Sequence, residues 1–144
     1  MAYCSASNVT NEFKSITFDS NTPVTSSDIA EFIAQIDAYI DGKLYFRYTT
    51  PITGANSLLI VKSISTYLVA SRVSKILELK TGETDKNQLV IDKNKKDATN
   101  MLKEIFEGSL VLSDATLRSA NCGVYGYTYD NDVEASVNVT DDQW

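Results

Sequence analysis

Histidine is absent from all 144 residues, which removes the commonest general base and the commonest metal ligand together. Only two cysteines occur, Cys4 and Cys122, near opposite ends and without framework spacing. A structural zinc site is not expected from that pair, and two reduced thiols in a cytosolic protein are expected ahead of a disulfide. No long uninterrupted apolar run exists. The most apolar stretch, Leu58 to Val73, is broken by Lys62 and Arg72, short of the roughly 18 apolar residues that a membrane span needs. Met1 to Thr10 has neither a basic residue nor an apolar run, so no signal peptide is expected.

Positive charge is also scarce. The formal net charge is −6, unevenly spread. Residues 1–55 hold three cations (Lys14, Lys43, Arg47) and six acids; residues 56–112 are slightly basic; from residue 113 onward only Arg118 stands against six acids. An acidic end on a nearly neutral body argues against a dedicated nucleic-acid binder, whose affinity comes from clustered cations. The length suits about one domain, large enough for a core without disulfide staples.

What is present is helical patterning. Ser5 or Ser7 can cap a short helix over 6–14, with Val9 and Phe13 sharing an inward face. The segment from Ser20 to Thr25 is loop chemistry around Pro23. Thr25 with Asp28 three residues later forms a capping box for a second helix. Its inward stripe runs through Ile29, Phe32, Ile33, Ile36, Ile40 and Leu44. Gly42 lies inside this stripe, and because the pattern resumes at Leu44 and Tyr48, a close helix crossing is expected there. Pro51 ends the element. A third helix starts near Asn56 or Ser57 as its cap and runs to about Lys80, with Gly82 as its stop. Its apolar stripe is so wide that most of the helix must be covered, either as the spine of the domain or as an intersubunit surface. A fourth helix ends at Glu107 before Gly108, with Ala98, Met101, Leu102, Ile105 and Phe106 inward. Leu110 to Leu112 could form one strand, and residues 113–117 one more helical turn.

The last segment changes period. Tyr125, Tyr127, Tyr129, Val133, Ala135, Val137 and Val139 occupy alternate positions, a strand or hairpin signal. A lone hairpin is marginal in water, so this segment is expected to find a partner. The fold class expected is therefore mainly α: a small bundle of four to five helices with two long central ones, occupying 1–118. Residues 119–144 are expected to be an acidic arm, β-prone and forming a strand or hairpin, or disordered until assembly.

Candidate chemistry is thin. Asp37 and Asp41, four apart on a helix, could hold a divalent ion or perform acid–base work. With no further ligand nearby, a solvated helix face is the expected reading. Lys93, Lys95 and Lys96 are bracketed by Asp92 and Asp97 and lack interleaved aromatics for base stacking, so they too read as a solvated face. Arg47 and Tyr48, at a helix end, suit a structural or interface role. No phosphate-cradling loop, nucleophile elbow or Cys–His pair occurs; no enzyme and no cofactor are expected.

One string is more specific. Ile40-Asp41-Gly42-x-Leu44-x-x-Arg47-Tyr48-x-x-Pro51 resembles the signature of tailed-bacteriophage head–tail connector proteins, the Mu-type neck proteins and related portal adaptors. Leu58 through Val73 is similar to that family's long central helix. Ala98-x-x-x-Leu102-x-x-Ile105-x-x-Gly108-x-x-x-Leu112 resembles its last helix and the following turn, and Tyr3-x-Ser5 fits its N-terminus. Lys43 stands where relatives often carry an aromatic. The resemblance covers roughly 3–118 and excludes the arm.

It implies a ring subunit, commonly twelvefold, in the neck of the virion and in the host cytoplasm during assembly. Its partners would be its own copies, the portal protein and the next neck or tail-completion protein. DNA would pass through the channel without sequence-specific binding, and no membrane is involved. Interface residues expected are Arg47 and Tyr48, and, from the β-prone arm, Tyr125, Tyr127, Tyr129, Val133, Val137 and Val139. A small helical DNA-binding or regulatory protein is the alternative.

Overall fold

The computed structural model describes residues 1–14, 16–81 and 88–118. The chain is mainly α-helical: α1 (Ala6–Thr10), α2 (Ser26–Leu44), α3 (Ala55–Thr81) and α4 (Gln88–Glu107). Among the described residues, the one piece of β pairing is an isolated antiparallel bridge between Tyr48 and Leu117. The β-prone arm expected over 119–144 lies outside them.

Two of the expected N-caps form, at Ser5 and Thr25; the one expected at Asn56 or Ser57 does not, because α3 already begins at Ala55. Ser5 and Asn8 make a reciprocal capping box at α1, and Thr25 and Asp28 make one at α2. These bonds satisfy backbone N–H groups that a helix start otherwise leaves orphaned. The hydrogen bonds from the Thr25 backbone and hydroxyl hold the Asp28 carboxyl below its ordinary range. At the other end of the bundle, Gly108 adopts φ +85° and its N–H donates to the Glu104 carbonyl at 2.9 Å. That is the left-handed stop which glycine makes without steric cost.

α3 is the spine. It packs against α1, α2 and α4, which explains a helix apolar on nearly every side. The core divides into two clusters along its length. One gathers Ile40, Leu44, Tyr48, Ile64, Leu102 and Ile105; the other gathers Val9, Phe13, Ile29, Ile33, Val73 and Ile91. α2 and α3 contribute to both, so the two halves are tied by continuous helices. Several hydroxyls on α3 are buried as well. Thr66 returns its hydroxyl to the Lys62 carbonyl one turn back, and Ser74 bonds the amide oxygen of Gln88 on α4, which satisfies polar groups that burial would otherwise penalise.

The start of α3 is capped from far away. Asp114 accepts from the backbone N–H of Asn56 at 2.7 Å and of Ser57 at 2.9 Å, and from the Ser57 hydroxyl. Those bonds, led by the Ser57 hydroxyl, hold the Asp114 carboxyl below the usual carboxylate range. No local residue supplies this cap; a residue 58 positions away does.

Several expectations about the helices and their ends need correction. α1 is shorter than 6–14, although Val9 and Phe13 are buried as expected. Residues 110–117 form neither a strand nor a helical turn, because Leu112 is drawn into the core and Asp114 is engaged at α3. Phe106, placed inward by its spacing, is 45% exposed. Gly42 is not a close crossing: a Cβ there meets no atom within 4 Å. The apolar pattern resumes after it because Leu44 closes the helix and Tyr48 re-enters the core from a turn. Gly42→Ala is therefore expected to stabilise the protein by about 1 kcal/mol through helix propensity alone, read as a higher urea midpoint at unchanged slope. A lowered midpoint would reveal a contact at that position.

Candidate assembly surface

The chain between α2 and α3 is where buried polar chemistry and exposed aromatic surface meet. Asp37 and Asp41, expected on a solvated face, are instead anchors for the N-terminus. Asp37 is 4% exposed. It accepts the Tyr3 backbone N–H at 2.8 Å and the Ser65 hydroxyl at 2.6 Å. The Tyr3 hydroxyl donates to Asp41 and accepts from the Ile52 N–H at 2.9 Å. One tyrosine thus joins the N-terminal segment, α2 and the loop entering α3, and Asp37 carries the link on to α3. The pair faces inward because the spacing that aligns like charges on a helix also lets both reach one hydrogen-bonding partner. Cys4 continues this cluster, its sulfur 3.3 Å from the Ser65 hydroxyl.

Burial raises the Asp37 carboxyl above its ordinary range, opposed by the hydrogen bonds from Ser65 and Tyr3. Burial and the hydrogen bond to Asp41 likewise push the Tyr3 hydroxyl up. With both Asp37 oxygens occupied, the pair does not present an open ligand set. Among the described residues, no three acidic or cysteine side chains cluster as a metal site.

The junction itself is held by Tyr48. Expected at an interface, it is fully buried in this chain's own core, and its hydroxyl accepts the Leu112 N–H at 3.1 Å. Around it, the Thr49 N–H donates to the Thr116 carbonyl at 2.8 Å and the Arg118 N–H to the Arg47 carbonyl at 2.9 Å. Arg47 is half-buried, its guanidinium against Gly108, where a Cβ would come within 1.9 Å of it. Pro51 follows a cis peptide bond in the same loop. Tyr125, Tyr127, Tyr129, Val133, Val137 and Val139 lie outside the described residues.

With Tyr48 turned inward, its neighbours are turned outward. Phe46 is 70% exposed and meets Phe106 of α4 edge-on, with ring centroids 6.3 Å apart. Lys43 lies over the rings of both Tyr39 and Phe106, a cation–π arrangement. Arg118 stacks on Tyr45, 3.5 Å from the ring centroid, and donates to the Tyr45 carbonyl. A cleft of about 160 Å³ lies between Tyr39, Lys43, Thr99, Lys103 and Phe106. Spacing missed this aromatic and cationic face. The signal available was Phe46, midway between Leu44 and Tyr48 and so out of step with the inward stripe. The Lys93, Lys95 and Lys96 group lies elsewhere on α4; Lys95 is half-buried beside Lys75, whose proximity holds the Lys95 ammonium below its ordinary value.

The Asp37 geometry carries a stability prediction. Asp37→Ala strands two buried donors and is expected to cost about 2–4 kcal/mol in urea unfolding. The pH dependence has a definite sign. An acid raised on folding binds more protons in the native state, so its contribution is full below the unfolded value of about 4 and is lost as pH rises through the raised folded value. Asp37→Asn should flatten that fall. An identical slope in the variant would show that Asp37 does not titrate as placed.

A family model described as Bacteriophage Mu, Gp36 matches residues 3–122. No curated protein and no solved structure matches the chain. The matched span opens on the Tyr3 anchor, takes in all four helices and extends past Asp114 and the Tyr48–Leu117 bridge. It therefore includes the long-range ties described above, and the chain belongs to the bacteriophage Mu Gp36 family.

Proposed function

We propose that this chain is a structural subunit of a phage head–tail connector, assembling as a ring below the portal and lining the channel through which DNA leaves the capsid. Family membership over residues 3–122 is the observation that carries the reading. The partners are further copies, the portal protein and the next neck or tail-completion protein. The site of action is the virion neck, reached from the host cytoplasm during assembly.

The physical properties fit this role. A net charge of −6 offers passing DNA few cations with which to displace counterions, so the duplex slides without sticking. Exposed rings at Tyr39, Tyr45, Phe46 and Phe106 are the residue types that dominate protein–protein interfaces. Among the described residues, no helix is long and apolar enough to cross a membrane. The reading is non-enzymatic: the chain lacks histidine, and the buried carboxylate of Asp37 serves to hold Tyr3 and Ser65.

Sedimentation of the purified chain with the portal of its own phage tests the proposal. The chain is expected to co-sediment with the portal as a ring. Phe46→Ser with Phe106→Ser should weaken that association at least about tenfold, as loss of interface aromatics does, while leaving the helical circular dichroism intact. Failure of the unaltered chain to associate, or tight duplex binding that collapses with added salt, would overturn it.

A further inference from the structure

The residues ahead of α1 depend on one acid. Tyr3 and Cys4 are buried and Met1 is exposed, while Ser5 already caps α1. Residues 1–4 therefore form a short strap tied to α2 and α3. Among the described residues, the strap's backbone makes one hydrogen bond, from the Tyr3 N–H to Asp37 at 2.8 Å. A cleft of about 360 Å³ lies beside it, lined by Met1, Ala2, Ala34, Asp37, Ala38 and Asp41. The groups facing Asp37 offer it no close counter-ion. From the strap come Tyr3, the Cys4 thiol and, beyond ion-pair distance, the Met1 ammonium. From α2 comes Asp41, a like charge one turn on; from α3 comes the Ser65 hydroxyl, with Lys62 near Cys4. Among the described residues no cation forms a salt bridge with Asp37. A carboxyl taken out of water beside a second carboxyl favours its neutral form.

We propose that residues 1–4 are a proton-sensitive strap, closed over Asp37 while that acid keeps its proton and released locally, with α2 and α3 intact, once it ionises. The neutral acid gives up no hydrogen bond, because Ser65 can reverse its role. With Asp37 ionised, the Ser65 hydroxyl donates to it at 2.6 Å and takes the Cys4 S–H. With Asp37 protonated, the carboxyl donates to Ser65, whose own O–H turns to the Cys4 sulfur 3.3 Å away, a contact in which either atom can donate. A hydroxyl proton rotates to suit its neighbours. The other carboxyl oxygen goes on accepting the Tyr3 N–H. Ionisation has no such compensation, since it leaves a charge out of water next to Asp41. Lifting the strap returns that charge to solvent. The sign is definite. In the open state Asp37 ionises near pH 4, roughly the ordinary value, and in the closed state it stays neutral to higher pH. The opening constant therefore climbs by up to about tenfold per pH unit from there and levels off above the closed-state value. The inference is independent of the connector reading, since it concerns only the isolated chain.

Native-state hydrogen exchange of the intact chain, read by NMR across the acid-to-neutral range and corrected for the intrinsic rate at each pH, tests it. The Tyr3 amide is expected to exchange at least about tenfold faster than the slowest α3 amides, the mark of an opening smaller than unfolding. Its protection should fall as pH rises and then level. Asp37→Asn keeps the shape but cannot ionise, so it should hold Tyr3 protection constant over the same range. A second readout needs no change at Asp37. In Cys122→Ser, labelling of Cys4 by a small thiol reagent, divided by the rate in the urea-unfolded chain at the same pH, should follow the Tyr3 profile. Tyr3 protection that does not vary with pH in the unaltered chain would overturn the proposal. So would a Tyr3 amide exchanging no faster than the α3 core, which would make release part of global unfolding. A pH profile unchanged in Asp37→Asn, or Cys4 labelling that ignores pH, would do the same.

Discussion

Tyr3 gathers three long-range hydrogen bonds at one point of the fold. Its backbone N–H is held by Asp37, its hydroxyl donates to Asp41 and the same oxygen receives the Ile52 N–H. Asp37 in turn takes the Ser65 hydroxyl. Four segments far apart in sequence are thereby fixed at one point. The cost is a carboxylate moved out of water, which Asp37 meets with two close donors and a raised affinity for its proton. Such networks stabilise only when every member is satisfied. Here the geometry of the α2–α3 junction follows from it. Ile52 lies in the core with its N–H paired, and Tyr48 is buried beside it in the same cluster.

The inward turn of Tyr48 then sets the surface. A core tyrosine at this position leaves Tyr45 and Phe46 on the outside of a tight turn, opposite Phe106 of α4. The aromatic face is thus a by-product of how the helical junction is closed. Its exposure is specified by the same bonds that stabilise the interior, which links the folding of the body directly to what it offers a partner.

Much of the architecture was legible in the sequence for a definite reason. Helix periodicity, the Ser5 cap and the capping pair Thr25–Asp28 are local, so spacing reveals them. What spacing could not show were contacts made across the chain. Asp37 looked solvated because its partners, Tyr3 and Ser65, lie 34 and 28 residues away. Asp114 looked like part of a short turn because the helix it caps begins 58 residues earlier. Gly42 misled in the opposite direction, since a resumed apolar pattern is equally produced by a helix crossing and by a chain that re-enters the core. Arg47 and Tyr48 both sit at the α2–α3 junction, where the half-buried Arg47 borders Gly108 and Tyr48 fills the core. The aromatic face escaped notice because exposed rings have no period.

The remote cap on α3 has a consequence for synthesis. A chain leaving the ribosome at about 5–20 residues per second exposes the first turn of its central helix several seconds before Asp114 is made. During that interval the N–H groups of Asn56 and Ser57 have only water to satisfy them. The first turn of α3 therefore gains its carboxylate cap only once the chain has been made as far as Asp114.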